Sequence, residues 1–141
     1  MADGFYEEFR NGILGGGVHA QPDMNGNDIR VALRDEDTTA VNLATQIDAA
    51  DVSGAWVGSH TALAGLTVGS SAVGAFDHTD ETYPLLSGAT VESLDYFDYQ
   101  TAVESTSPLI ANLDSWTGLP LTPNGGDVIL APHANGVFQI P

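Results

Sequence analysis

Ile29-Arg30-Val31-Ala32-Leu33-Arg34 sets Ile29, Val31 and Leu33 against Arg30, Ala32 and Arg34 at a period of two. A strand places successive side chains on opposite faces, so this alternation predicts a half-buried β-strand with Arg30 and Arg34 on its open side. These two guanidiniums are expected to form the concentrated positive patch of the chain. Downstream, segments 40–47, 63–68, 71–76, 90–99, 109–113, 127–130 and 137–140 also read as strands. Gly, Pro, Asn and Asp separate nearly all of them, at spacings typical of antiparallel sheets. The fold class expected is mainly β, an antiparallel sandwich or barrel with a short N-terminal helix. Val128-Ile129-Leu130 and Val137-Phe138-Gln139-Ile140 are expected to pair as a hairpin, because Asn135-Gly136 between them tolerates positive φ. The stretch 119–126 holds two prolines and two glycines and reads as a shaped connecting loop.

Upstream of the deciding strand, Phe5, Phe9 and Ile13 recur every four residues beside Tyr6 and Leu14. This is the pattern of a helix with one apolar face, and Glu7 and Glu8 suit its first turn. Gly15-Gly16-Gly17 ends it. Residues 1–17 are therefore expected to be an N-terminal helical arm on a glycine hinge, and residues 18–141 a single β domain. Deleting the arm is expected to leave the β body folded. A chain of 141 residues fits one domain, since two would each fall near the lower limit for an independent core.

Charge removes several function classes. Asp and Glu number 19 against 3 Lys and Arg, all of them Arg, for a formal net charge of -16. Without lysine there is no phosphate loop of the Walker type, no Schiff base and no Ser-Lys catalysis. Binding to nucleic acid or anionic lipid rests on cationic contacts, so neither direct nucleic-acid recognition nor a membrane partner is expected. With 0 Cys, disulfides and thiolate chemistry are excluded. The N-terminal residues lack the basic region of a secretory signal, which leads to an expectation of synthesis in the cytoplasm.

Catalytic and metal-binding patterns are weak. Ser59, Ser70 and Ser71 lie near glycines but outside any Gly-x-Ser-x-Gly elbow. His19, His60, His78 and His133 are scattered at spacings that do not aim two imidazoles at one ion. The carboxylates of 35–37, of Asp77 with Asp80 and Glu81, and of Asp95 with Asp98 are weighed as calcium ligands and read as solvated loop faces. Residues 23–28 open like a calcium loop, but Gly26 falls at the fourth position and Arg34 stands where the bidentate glutamate belongs. No cofactor, metal or catalytic residue is expected. Tyr96, Phe97 and Tyr99 with Trp56 and Trp116 read as core packing first and as a sugar or protein platform second.

Several stretches carry a resemblance: Asn27-Asp28-Ile29-Arg30-Val31-Ala32-Leu33, Val41-Asn42-Leu43-Ala44-Thr45, Leu109-Ile110-Ala111-Asn112-Leu113-Asp114 and Asn135-Gly136-Val137-Phe138-Gln139-Ile140. The most specific is Gly118-Leu119-Pro120-Leu121-Thr122-Pro123-Asn124-Gly125-Gly126-Asp127. Over most of its length the chain resembles the small β-rich virion proteins of tailed double-stranded DNA phages. The resemblance implies a structural role without catalytic residues, as a decoration or cement protein on the outer surface of the phage head. It implies the major capsid protein as partner, further copies of the chain as neighbours in a homo-oligomer such as a trimer, and the virion as location. The chain departs from that pattern in its lack of lysine and stronger acidity, which suits a salty host environment. Phe5, Tyr6, Phe9, Ile13, Leu14, Arg30 and Arg34 are the expected partner-binding residues. A neck, tail-tube or fibre-associated virion protein and a carbohydrate-binding module are the alternatives.

Overall fold

The computed structural model describes residues 3–140. In chain order they form β1 (Gly4–Phe5), α1 (Glu7–Ile13), β2 (Ile29–Arg34), β3 (Thr61–Ala62), β4 (Thr67–Val68), β5 (Ala75–Asp77), β6 (Glu81–Tyr83), β7 (Ser93–Asp98), β8 (Leu109–Leu113), β9 (Val128–Leu130) and β10 (Phe138–Gln139). The fold is mainly β and antiparallel with one short helix, as the alternation predicts. One sheet runs β1-β8-β7-β2-β3, a second β10-β5-β4, and a third pairs β6 with β9. Each is open at its edges, so the body is layered and does not close into a barrel.

Two clusters of buried side chains sandwich the large sheet. Ile29, Val31 and Leu33 of β2 join Leu94 and Tyr96 of β7, Ile110 and Leu113 of β8, and Phe9 of α1 on one face. Phe76 of β5, Tyr83 of β6 and Leu130 of β9 belong to the same cluster, so the two small sheets cover this face. On the other face Ala32, Phe97 and Leu109 pack with Tyr6, Ala49 and Val52. A bulge between Tyr96 and Phe97 in the β7-β8 pairing lets β8 serve both faces.

Burial on both sides corrects the half-buried reading of β2. The residues alternate between faces as expected, but the polar face is roofed by the chain between β2 and β3, and Arg34 lies inside at 0% exposure. The expected two-arginine surface patch does not form. Segment 40–47 is also no strand. Asn42 accepts the backbone N–H groups of Ala44 and Thr45 at 3.1 and 3.3 Å, and the carbonyls of Thr39 and Ala40 accept from the Arg34 guanidinium. Side-chain hydrogen bonds have taken the backbone groups a ladder would need.

The expected terminal hairpin is likewise corrected. The chain does turn at Gly136, with φ 93°, but β9 pairs with β6 and β10 with β5. Phe138 explains the divergence. Its ring stacks on Phe76 at 5.1 Å and meets the edges of Phe5 at 5.2 Å and Tyr96 at 5.8 Å, contacts that a local hairpin would forgo. The 119–126 loop is stitched to residues 86–91: Val91 and Leu121 exchange backbone hydrogen bonds at 2.8 Å, and Gly125 N–H donates to the Leu86 carbonyl at 2.8 Å.

Candidate docking face

The N-terminal segment is part of the body. β1 pairs with β8, Tyr6 N–H donates to the Ile110 carbonyl at 3.0 Å, and Glu7 N–H to the Leu43 carbonyl at 2.8 Å. Tyr6 and Phe9 are buried, and half-buried Phe5 stacks on Phe9 at 5.4 Å. A free helical arm is therefore corrected to a short helix welded across the sheet. Among the expected partner-binding residues, burial removes Tyr6 and Arg34 from any contact surface and leaves Phe9 3% exposed. Arg30 is half-buried, ion-paired with Asp28 at 2.8 Å, with its guanidinium carbon 4.5 Å from the centre of the Tyr99 ring.

Arg34 is the centre of a buried polar knot. Its Nη1 lies 3.3 Å from the Asp95 carboxylate, both side chains fully buried, and donates to the Tyr6 hydroxyl at 3.0 Å. Asp95 accepts from Tyr6 OH at 2.8 Å, Asn112 Nδ2 at 2.9 Å and Trp56 Nε1 at 3.1 Å. Burial, and then the adjacent Asp95 charge, push the Tyr6 phenol well above its ordinary range. The knot ties β2, β7 and β8 to the N-terminal segment and to the 39–46 loop. With no solvent access it offers nothing to a substrate. Ser and His positions gave no hint of it, although Arg34 amid an apolar run was a signal for a buried, compensated charge.

What does reach the surface is apolar and lies where α1 ends. A groove of about 420 Å³ is lined by Phe9, Ile13, Met24, Val68 and Ile140, with Gln21, Asp23 and Asn25 on its polar side. Leu14 follows directly and is 87% exposed, and so is Val73. Val73 belongs to the same corner, because its carbonyl accepts from Gln139 Nε2 at 2.6 Å and its neighbour Gly74 accepts from Ile140 N–H at 3.1 Å. A Cβ on Gly74 would meet the Ile140 carbonyl oxygen at 2.3 Å, so glycine permits this closure. Of the expected partner-binding residues, Ile13 lines this groove and Leu14 is exposed beside it. Val68, Val73 and Ile140 were not singled out, since only tertiary pairing brings them beside the helix.

Other candidates are occupied by structural work. Buried His78 sits between the Thr79 carbonyl at 2.6 Å and Tyr96 OH at 3.1 Å, and burial lowers its pKa. Burial and then Arg30 lower that of His60. His19 pairs with Asp48. Asp35, Asp37 and Glu92 bring carboxylate oxygens within 4.8 Å of one another, but Asp35 caps its own turn through Asp37 N–H at 2.9 Å and Thr38 Oγ1 at 2.7 Å, and those hydrogen bonds lower its pKa. Glu92 accepts from Glu36 N–H at 2.7 Å. Trp56, Tyr96 and Phe97 are committed to packing and to the polar knot. No helix among the described residues is long and apolar enough to cross a membrane. The chain matches no protein-family model and no curated protein, so its function is argued from this geometry and from the motifs above.

Proposed function

We propose that this chain is a structural virion protein, a decoration protein that binds the outer surface of a tailed-phage head and stabilises it. The observation that carries the reading is the groove holding Ile13, Met24, Val68 and Ile140, with highly exposed Leu14 and Val73 on the chain segments beside it. Exposed apolar side chains gathered on a strongly charged body are characteristic of a protein contact.

Charge narrows the partner. Each arginine already faces a carboxylate of its own chain: Arg10 with Glu7 at 3.5 Å, Arg30 with Asp28 at 2.8 Å and Arg34 with Asp95 at 3.3 Å. With a formal charge of -16, free copies repel one another, and a fitting partner carries aliphatic side chains ringed by Lys or Arg. The major capsid protein is that partner in this reading. Copies of the chain then gather on the shell, where repeated attachment makes modest single contacts effective.

The test is co-sedimentation with assembled heads that lack the protein. Replacing Leu14 and Val73 together with Asp is expected to weaken binding by about 100-fold or more, since each change removes an apolar contact and adds a desolvated charge at the interface. Both positions are exposed, so circular dichroism and the melting temperature stay unchanged. Wild-type binding by the double variant overturns the assignment of this face.

A further inference from the structure

A second cleft has a different lining from the docking groove. It measures about 550 Å³ and opens between the turn after β8 and the 131–137 loop. This volume is within the range that holds a small molecule. Trp116 forms one wall, packing partly against the core and partly lining the cleft. Leu113 and Val137 add aliphatic surface, while Ser115, Thr117, Asp3 and His133 supply polar groups.

The walls are held in place before any ligand arrives. Asp3 accepts from the backbone N–H of Asp114 at 2.7 Å and of Ser115 at 2.9 Å, and also from the Ser115 hydroxyl. Across the cleft, Gly136 N–H donates to the His133 carbonyl at 2.8 Å, and Asn135 N–H to His133 Nδ1 at 3.2 Å. A Cβ on Gly136 would fall 2.8 Å from the Phe76 carbonyl oxygen, which seats that loop directly on β5. Fixed walls reduce the ordering cost of binding.

From these groups we propose that the Trp116 cleft binds a neutral sugar. An indole face accepts the C–H face of a pyranose ring, and hydroxyl, imidazole and carboxylate groups at its rim match sugar hydroxyls. Anionic ligands are disfavoured, because the chain has no lysine, its three arginines face carboxylates elsewhere, and its field is strongly negative. An organic cation is the competing occupant. It fits less well because the carboxylate lining the cleft, that of Asp3, already receives three internal hydrogen bonds. Burial acts to raise the Asp3 pKa, but those bonds outweigh it and the group ends below its ordinary value. Such a carboxylate stays ionised and keeps acceptor capacity for a sugar hydroxyl, while its internal donors fix its orientation. The sugar proposal does not rest on the docking reading: the two sites have different lining residues, Val137 of the cleft and Ile140 of the groove lying on one segment.

The experiment is a glycan array probed with the full chain, followed by titration of the retained glycan while tryptophan fluorescence is recorded. Neutral glycans are expected to bind, and Trp116→Ala is expected to weaken the best of them by about ten-fold or more. Trp116 touches the core, so Ala134→Trp provides a second variant: it starts from an exposed lining residue, leaves the wall intact and fills the cleft. It is expected to abolish binding with an unchanged melting temperature. An array on which no neutral glycan is retained overturns the proposal. So does retention of acidic glycans alone, unchanged affinity in Ala134→Trp, or a fluorescence response to N-acetyl-arginine amide with none to neutral sugars.

Discussion

Replacing Arg34 with Met is expected to destabilise the fold by about 3–5 kcal/mol, the range for removing one partner of a buried ion pair. The guanidinium is fully buried, and its loss strands the Asp95 charge where water cannot reach it. It also leaves the Thr39 carbonyl without its donor and takes one of two donors from the Ala40 carbonyl and from the Gln46 amide oxygen. Urea denaturation followed by tryptophan fluorescence checks this: with a slope of about 1–3 kcal/mol per M, the midpoint falls by about 1–5 M. Asp95→Leu alone has a comparable effect, because it leaves the Arg34 charge unpaired, removes the acceptor of the Tyr6 hydroxyl proton and of the Trp56 indole N–H, and takes one of two acceptors from the Asn112 amide. The Arg34→Met/Asp95→Leu pair is expected to lose less than the sum of the two, since the second change removes the charge that the first leaves unpaired. Full additivity would show that the two side chains do not act as a unit.

The second large effect is the loss of residues 1–13. As an arm, this segment would be dispensable for folding. As built, it carries Tyr6 into the polar knot, Phe9 into the main core and β1 onto the edge of β8. Truncating a single buried aromatic side chain costs about 3–5 kcal/mol, and a whole domain is stable by only about 5–15 kcal/mol. Removal of the segment is therefore expected to leave a chain without near-ultraviolet circular dichroism or dispersed amide resonances. A truncated chain that keeps a cooperative melt would show that β2, β7 and β8 do not need it.

Both effects originate in features that the sequence exposed unevenly. The core strands were legible because local pattern decides them: Ile29, Val31 and Leu33 alternate, and segment 109–113 is apolar enough to be buried throughout, matching β8 residue for residue. The helix was legible too, although it starts only at Glu7 and leaves Phe5 in β1; the stripe of Phe5, Phe9 and Ile13 packs on the body. What that stripe packs against was not, because whether an apolar face covers its own sheet or a partner depends on pairing far along the chain, here Tyr6 with Ile110 and Asp95. Arg34 misled for a related reason. Alternation assigns it to the less apolar side of β2, and only the roof over that side, supplied by residues 39–56, turns the position into an interior one. Asn135-Gly136 announced a reversal, but the choice of strand partner was made by Phe138 against Phe76. The docking face follows the same rule: Ile13 and Leu14 could be named from the helix, whereas Val68, Val73 and Ile140 join them only through the β10-β5-β4 sheet.

In the function proposed for it, the protein works by contact through the face at the end of α1. Hydrogen–deuterium exchange of the free protein and of the protein bound to heads tests it most directly. Binding is predicted to slow exchange in peptides spanning 13–18, 67–74 and 137–140, while β7 and β8, already buried, change little. Protection confined to the opposite side, around Trp56 and Tyr99, or no change on any peptide would contradict the account.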